Sequence, residues 1–291
     1  MTEDIRDDAP MTTVTVTGIH VYPVKSMRGI SLHETILTPK GLARDRQWMV
    51  AELDGRFVTQ RDNPQLALLV TRLDDTGVTL SMPGHGSITV PYQMHDGERV
   101  TSRVWKDACE TVDQGPEIAA WLTRALASDK PLRLLAMSPG FTRPLHKAPL
   151  LGKGTTTGFA DAAPFLVANE ASLDELNARL ESASIPAVPM NRFRPNIVIS
   201  GVEAFAEHRL QCLVAPDYQL DMRYPCERCV VTTIDQETAV RHPQAQPFKT
   251  LAEINPMPGS KRAPAFGENA VLAHGNLQRV AVGDQLRAVF R

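Results

Sequence analysis

The sequence has little of several features that would mark a specialised class of protein. Of its 291 residues only 5% are aromatic and four are cysteine, and no apolar run approaches the roughly 20 residues that span a bilayer. Neither sign of charge dominates, because 31 Lys and Arg stand against 33 Asp and Glu and leave a net charge of −2. These absences argue against a membrane-spanning helical protein, a disulfide scaffold and a general affinity for nucleic acid or membranes.

The first residues of the chain carry no targeting pattern that we can identify. Residues 1–11 are acidic and lack the basic-then-apolar order of a signal peptide. We therefore expect a disordered, solvated tail over 1–11 and a cytoplasmic protein.

Short alternating runs of polar and apolar residues dominate the first third of the chain. The run 13–19 alternates with β-branched residues, which suits a half-buried pleated surface. Asp54-Gly55 and Asp75-Thr76-Gly77 are turn signals between such runs. Further strands are predicted at 30–38, 47–53, 56–60, 68–73, 78–82 and 100–105, and then at 165–168, 196–200, 219–223, 230–234, 270–273 and 285–289. This spacing predicts a mainly β fold, a β-barrel or sandwich, with few helices.

Helical patterns are confined to a few segments. Residues 116–127 open with proline and place apolar residues on one face. Ser172 followed by Glu175 predicts a capping box for a helix over 172–180, and a weaker helix is expected over 248–254. The Pro- and Gly-rich segment 138–157 is predicted to be a long functional loop. We place a domain boundary near residue 130, between a strand-rich domain over 12–130 and a mixed one over 131–291.

A cysteine pair is the sharpest chemical feature of the sequence. In Cys226-Glu227-Arg228-Cys229, Arg228 stands next to Cys229, and a neighbouring cation favours the thiolate that soft or high-valent transition metals bind. If the segment continues as a strand, Cys229 and Val231 share one face and Arg228 lies on the other.

Three other interpretations of the cysteine pair stay open at this point. The pair could serve thioredoxin-type exchange, which requires a helix N-terminus after a strand. A zinc site could use His208 and Cys212 together with Cys226 and Cys229. The pair could also be structural and bind nothing.

Clustered cations elsewhere provide candidates for binding an anion. Arg192 and Arg194 lie two residues apart before an apolar strand and can present bidentate donors to a phosphate. Lys25-Ser26 follows the first strand in a loop. Arg46 follows Asp45 and either binds an anion or pairs with that carboxylate. Each segment also has an ordinary surface interpretation.

Taken together and in this order, these segments resemble a known family. They are Lys25-Ser26, Gly41-Leu42 with Asp45-Arg46 and Trp48, Thr59-Gln60-Arg61, Asp161 with Pro164-Phe165-Leu166, Ser172-Leu173 with Leu176-Asn177, Phe193 to Val198, and Cys226 to Asp235. The pattern is similar to the molybdenum-cofactor sulfurase C-terminal (MOSC) proteins over residues 12–291. Within them it most resembles the mitochondrial amidoxime-reducing components and their bacterial counterparts.

The resemblance implies a fold, a cofactor and an activity. The expected fold is a MOSC-type β-barrel plus an N-terminal β-barrel-like domain whose first strands reach the cofactor site. The implied cofactor is molybdenum with molybdopterin, ligated through Cys229. The implied cofactor-binding residues are Lys25, Ser26, Arg46, Arg194, Asn196 and Arg228. Pyridoxal phosphate binding is a further family-level possibility.

The implied activity is the reduction of small N-hydroxylated compounds. Electrons would come from a separate protein such as a ferredoxin, a flavoprotein or a cytochrome b5-like protein, because the chain carries no clustered cysteines for an iron–sulfur domain after residue 235. An alternative is a carrier that holds molybdenum cofactor or a Cys229 persulfide without turnover. Two departures from the family pattern concern the site: Ala162 and Ala163 replace small polar residues, and Glu227 adds negative charge beside Arg228.

Overall fold

Strands make up most of the ordered elements in the computed structural model, which describes residues 12–92, 96–260 and 262–291. The first half contains β1 (Thr12–Val21), β2 (Ile30–Leu32), β3 (Glu34–Thr38), β4 (Gly41–Leu42), β5 (Trp48–Glu52), β6 (Val70–Leu73), β7 (Gly77–Met82), β8 (Gly86–Pro91), β9 (Arg99–Val104), β10 (Asp107–Asp113) and β11 (Leu132–Met137). The second half contains β12 (Phe165–Asn169), β13 (Ile197–Ser200), β14 (Leu210–Val214), β15 (Gln219–Glu227), β16 (Ala265–His274), β17 (Arg279–Ala281) and β18 (Gln285–Phe290). The predicted tail over 1–11 lies outside the described residues.

Helices are short and few within the described ranges. The α-helices are α1 (Pro116–Ala125), α2 (Ala148–Leu151), α3 (Glu170–Ser182) and α4 (Phe248–Ile254), and the 3-10 helices are Pro64–Leu68, Met190–Arg192, Ala206–Arg209 and Val230–Thr233. None of these helices is both long and apolar enough to cross a bilayer. The prediction of a mainly β chain with few helices is confirmed.

Seven strands close into a β-barrel. Their order is β13-β12-β16-β15-β14-β18-β1, and β1 also pairs with β13, which closes the ring. The short strand β2 pairs with the last three residues of β1. The closing ladder is antiparallel and places Ile19 opposite Ile197, and β1 meets β18 with Val14 opposite Leu286. These side chains are buried in the barrel core, as alternation along the strands requires. The first strand of the chain therefore lies in the same barrel as residues 165–290.

The remaining strands of the first half form smaller sheets beside the barrel. One has the order β5-β11-β10-β9 and another is the antiparallel meander β6-β7-β8. Helix α1 covers them with Ile118, Trp121 and Leu122, which pack in a second core with residues of β5, β7 and β11. The predicted turn before β7 is present, because the Asp74 side chain accepts hydrogen bonds from the backbone N–H groups of Thr76 and Gly77.

The predicted start of α3 is wrong by two residues. The helix begins at Glu170, and the side chain of Asn169 caps it by accepting a hydrogen bond from Ala171 N at 3.3 Å. Ser172 is therefore inside the helix, where its hydroxyl donates to the buried carboxylate of Glu207. A buried hydrogen-bonding partner from another part of the chain thus outweighs the local capping pattern.

The predicted strand over 230–234 is also wrong, and the segment is a 3-10 turn. Thr232 Oγ1 donates to Cys229 O at 3.0 Å, and Thr233 Oγ1 donates to Val230 O at 2.7 Å. Threonine hydroxyls that satisfy nearby carbonyls compete with the ladder of a sheet. The chain therefore turns at once after β15, and Cys229 caps the turn instead of lying in a strand.

The barrel core predicts a large difference between two leucine substitutions. Leu213 in β14 is fully buried, whereas Leu53 is 52% exposed. We expect Leu213→Ala to lower the free energy of unfolding by about 2–5 kcal/mol because it leaves a cavity. Leu53→Ala should change it by less than about 0.5 kcal/mol. Urea denaturation measures both, and similar losses for the two variants would contradict the barrel assignment of β14.

Candidate functional site

One cavity of about 430 Å³ brings together the residues that the sequence singles out. Its wall includes all seven predicted site residues: Lys25, Ser26, Arg46, Arg194, Asn196, Arg228 and Cys229. They come from both halves of the chain and from the segments next to β1, β5, β13 and β15. The cavity therefore exists only because barrel closure juxtaposes these segments.

Two arginines contact the ring of Tyr22. The guanidinium carbons of Arg46 and Arg194 lie 4.3 and 4.2 Å from the ring centroid. Asp45 Oδ2 accepts from Arg46 Nη1 at 2.5 Å, and Tyr22 OH donates to Pro195 O at 3.1 Å. Burial raises the pKa of Tyr22 to about 12 although both arginines lower it, and burial lowers the pKa of Arg194 to about 10. Both guanidinium groups are thus held in place beside the cavity.

Asn196 supports Arg46 through its amide oxygen. Its Oδ1 accepts from Arg46 Nη1 at 3.1 Å and from Leu166 N at 3.2 Å, and its Nδ2 donates to His20 O at 3.2 Å. The amide of Asn196 is therefore occupied by protein groups. It positions Arg46 and joins β1 to β12.

Lys25 and Asp161 form another part of the wall. Lys25 Nζ donates to Phe159 O at 2.9 Å and to Asp161 Oδ1 at 2.5 Å, and Trp105 Nε1 donates to the same oxygen at 2.7 Å. Burial lowers the pKa of Lys25 although Asp161 raises it. Desolvation raises the pKa of Asp161, but the Lys25 ammonium and the indole N–H outweigh it and hold this pKa well below its usual range. The carboxyl group of Asp161 is therefore ionised.

The backbone is strained at four residues of the cavity wall. Ser26, Arg46, Trp105 and Arg194 have φ angles of 68°, 44°, 57° and 55°. Residues other than glycine rarely adopt this left-handed backbone conformation, which costs about 1–3 kcal/mol for each residue. Residues with such strained backbone are most common at ligand-binding sites, where contacts with the surrounding structure hold them in this conformation.

The two cysteines differ in their surroundings. Cys226 Sγ accepts a hydrogen bond from Arg228 Nη1 at 3.0 Å, while Arg228 Nη2 donates to Phe193 O at 2.7 Å. In the described parts of the chain, the Cys229 sulfur has no hydrogen-bonding partner, and the Nε of Arg228 is buried without one. Cys229 thus presents a half-exposed thiol to the cavity beside an unsatisfied N–H donor.

The cavity wall is strongly cationic in a protein of nearly balanced charge. Lysines and arginines outnumber carboxylates there by seven to three. The cations are Lys25, Arg46, Arg61, Lys106, Lys147, Arg194 and Arg228, and the carboxylates are Asp107, Asp161 and Glu227. Such a wall favours an anionic ligand with several acceptor oxygens. Together with the free thiol and the unpaired Arg228 Nε, it fits a metal–pterin cofactor that carries a phosphate.

Arg192 does not accompany Arg194 into the cavity. Its Nη2 donates to Asp235 Oδ2 at 2.7 Å and its Nη1 to Thr232 O at 3.4 Å, so it supports the turn after Cys229. The prediction that both arginines present donors to a phosphate is therefore wrong for Arg192, and only Arg194 lines the cavity. The backbone forms a 3-10 turn over Met190–Arg192 and then takes a positive φ at Arg194, so the two side chains leave the chain in different directions. The apolar strand pattern that follows gave no indication of this turn.

Sequence reasoning missed a buried pair that builds the wall. Arg143 Nε donates to Asp107 Oδ2 at 2.9 Å, and Arg143 Nη1 donates to Gly158 O at 2.9 Å and Ala160 O at 2.6 Å. The only signal was Arg143 inside the predicted loop 138–157, and nothing in the sequence indicated that this arginine is buried. Trp105 was assigned only to the end of a strand, and nothing in the sequence indicated its half-exposed position in the wall.

Two residues that differ from the family pattern, Ala163 and Glu227, have clear surroundings in the structure. Ala163 is buried and packs with Leu145, Leu151 and Val271, so a polar residue is not required there. Glu227 is exposed at the rim.

The described residues contain no group of three or more His, Cys, Asp or Glu that could hold a metal. In particular, His208 bonds Glu268 and Asn255 through its two ring nitrogens. The zinc interpretation is therefore wrong.

Two family matches cover most of the chain. Residues 13–129 match the MOSC N-terminal beta barrel domain, and residues 154–287 match the MOSC domain. The fold and the site thus define a MOSC-domain protein with an accompanying N-terminal barrel domain.

Relatives refine this class. The chain is 35% identical to mitochondrial amidoxime-reducing component 1 of Homo sapiens over 282 residues, 93% of this chain and 81% of that protein. It is 33% identical to component 1 of Danio rerio over 260 residues, 87% of this chain and 78% of that protein. It is also 32% identical to the molybdenum cofactor sulfurase of Danio rerio over 87% of this chain and 32% of that protein. The chain belongs to the MOSC-domain family that contains the amidoxime-reducing components.

The resemblance identified in the sequence is confirmed by these matches. None of the matched names mentions pyridoxal phosphate, so that possibility gains no support. Two of the relatives are named as mitochondrial, and the cytoplasmic location expected from the sequence stays a prediction.

The arginine contacts of Tyr22 predict how two substitutions differ. Tyr22→Phe keeps the ring under both guanidinium groups and loses only the hydrogen bond to Pro195 O, at a cost of about 1 kcal/mol. Tyr22→Leu also removes both cation–π contacts, and we expect a further loss of about 1–3 kcal/mol in the free energy of unfolding. Chemical denaturation checks this, and equal losses in the two variants would show that the ring contacts contribute nothing.

Proposed function

We propose that this protein binds a molybdenum–molybdopterin cofactor and reduces small N-hydroxylated compounds with electrons from another protein. The observation that carries the proposal is the cavity wall itself. It places an unpaired thiol, Cys229, beside clustered cations contributed by both halves of the chain. The relatives named for amidoxime reduction support the same chemistry.

The residues divide into a metal ligand and a set of anion-binding groups. The thiolate of Cys229 would ligate molybdenum, because soft and high-valent metals prefer thiolate. Lys25, Ser26, Arg46, Arg194 and Arg228 would hold the pterin and its phosphate. Asn196 would act through Arg46, whose guanidinium it orients. When bound, the cofactor would supply a two-electron removal of oxygen from the substrate.

The protein's own contribution is placement and electrostatics. Arg46 and Arg194 are fixed by the ring of Tyr22 and by Asp45, so little side-chain entropy is lost when they bind an anion. The unsatisfied Nε of Arg228 gains a partner if an acceptor enters the cavity. An anionic ligand would therefore offset costs that the cavity wall carries.

Electrons for the reaction must come from outside the cavity wall. A ferredoxin, a flavoprotein or a cytochrome b5-like protein would serve, since each delivers electrons at a surface. The small substrate would enter the same cavity. We extend the proposal to neither nucleic acid nor a membrane, because acidic residues outnumber lysines and arginines outside the cavity wall.

A carrier function is the second candidate. The relative named molybdenum cofactor sulfurase supports it, and the same thiol of Cys229 could hold the cofactor or a persulfide for delivery. A carrier and a reductase differ in turnover, because a fully loaded carrier reduces no substrate.

The first experiment measures metal and pterin in protein purified from a host that makes the cofactor. We expect near-stoichiometric molybdenum, by elemental analysis, with one pterin, by fluorescence after oxidation. Loaded protein is then mixed with reduced viologen dye and an aromatic amidoxime. Formation of the amidine supports the reductase, and full loading without turnover supports the carrier.

Substitution of the two cysteines separates their roles. We expect Cys229→Ala to lose bound molybdenum and all turnover, because it removes the metal ligand. Cys226→Ala should retain most of the molybdenum, since it removes only an acceptor of Arg228. Molybdenum content per protein is the measurement. Equal loss of the metal in both variants would contradict a single cysteine ligand.

A further inference from the structure

His146 occupies a distinct place in the cavity wall. Among the described residues it is the only histidine that lines the cavity, and its imidazole is exposed there without a hydrogen bond from the protein. By contrast, both ring nitrogens of His208 are bonded, and His20 bonds Ser31. The imidazole of His146 is thus free to exchange a proton with a ligand or with water.

The backbone at His146 is anchored although it lies in the predicted loop 138–157. His146 N donates to Asp107 Oδ1 at 3.1 Å, and Arg143 binds the other oxygen of the same carboxylate. The preceding Leu145 is buried against Leu151. One carboxylate therefore fixes both ends of the segment 143–146. The imidazole stands on a rigid support.

The three carboxyl groups of the wall are poor proton donors near neutral pH. Asp161 is ion-paired with Lys25, and Asp107 is ion-paired with Arg143, so both are carboxylates. Glu227 is exposed, and a solvated carboxyl group is ionised at neutral pH. If Lys25 gave up its proton, Asp161 would lose its charged partner. An imidazolium group is the ordinary donor in this pH range.

We propose that His146 donates a proton to the oxygen that leaves the substrate during the reduction, an inference that rests on the proposed function. The reaction breaks the N–O bond of R–NH–OH, consumes two electrons from the external donor and two protons, and yields R–NH2 and water. One proton ends on the leaving oxygen, and His146 supplies it. The exposed ring then regains a proton from solvent.

The cavity surrounds His146 with charged and titratable groups whose influence must be separated from its own. They are Lys25, Arg46, Arg61, Lys106, Asp107, Lys147, Asp161, Arg194, Cys226, Glu227, Arg228 and Cys229. Because all of them remain in a His146 variant, the difference between variant and wild-type pH profiles isolates the imidazole.

The test compares wild type, His146→Gln and His146→Ala, all loaded with cofactor, between pH 5 and 9. Reduced viologen dye and an aromatic amidoxime are the co-reactants. The rate of the wild type should fall as pH rises, because a general acid acts only while it carries its proton. His146→Gln should lose about 10²- to 10⁴-fold in kcat/KM near neutral pH together with that fall. Added imidazole should restore part of the activity of His146→Ala.

Two measurements separate this role from a structural one. Molybdenum and pterin content should equal the wild-type values in both variants. Without reductant, the imidazole NMR resonance that His146→Gln removes should shift when amidoxime is added. His274→Gln, at an exposed histidine outside the cavity, is the matched control and should keep wild-type rates.

Several results would overturn the inference. Wild-type turnover with the same pH profile in His146→Gln would exclude His146 as the donor. A loss of activity that imidazole does not rescue, or that follows cofactor content, would assign it a structural role. Absence of turnover in loaded wild-type protein would instead refute the reductase proposal, and this inference with it.

Discussion

The ladder between β1 and β13 is the contact on which the site depends. It pairs the first strand of the chain with a strand almost 180 residues later, with Ile19 opposite Ile197 and His20 N bonded to Asn196 O at 2.8 Å. The segment after β1 and the segment before β13 then meet at one end of the barrel. Tyr22 and its neighbours come from the first segment, and two arginine-bearing turns close on them. Burial of both strands makes this register costly to change, because a slip of one residue would turn every core side chain outward.

The cavity wall carries costs that its interior contacts do not remove. Four of its residues have left-handed backbone, Arg194 is desolvated enough to lower its pKa to about 10, and the buried Nε of Arg228 has no partner. A folded chain tolerates such features where a ligand offsets them. The excess of cations over carboxylates indicates the sign of that ligand. The free thiol of Cys229 beside these cations is the ligand type that the proposed molybdenum would use.

Local sequence patterns predict an element correctly where local interactions decide it, and wrongly where a distant partner or a side-chain hydrogen bond decides it. Alternating runs such as the one in β1 predicted strands correctly, because alternation directly reports burial on one face. The segment after Cys229 was predicted wrongly because its β-branched residues suit a strand. In the structure the hydroxyls of Thr232 and Thr233 donate to carbonyls three residues back and form a turn instead. The start of α3 was also predicted wrongly, because the hydroxyl of Ser172 bonds to Glu207, which is distant in sequence, and does not cap the helix.

The sequence by itself determined the strand-rich character, the cysteine pair, and the identity of the cationic residues, because residue type and local periodicity carry that information. It also carried the family, through the order of its motifs. Only the tertiary structure decided that Asn196 positions Arg46, that Arg192 points away from Arg194, and that His146 is anchored through Asp107. Each of these depends on a hydrogen bond between residues that barrel closure or loop packing brings together. No local pattern encodes such a partner, so its effect appears only in the folded chain.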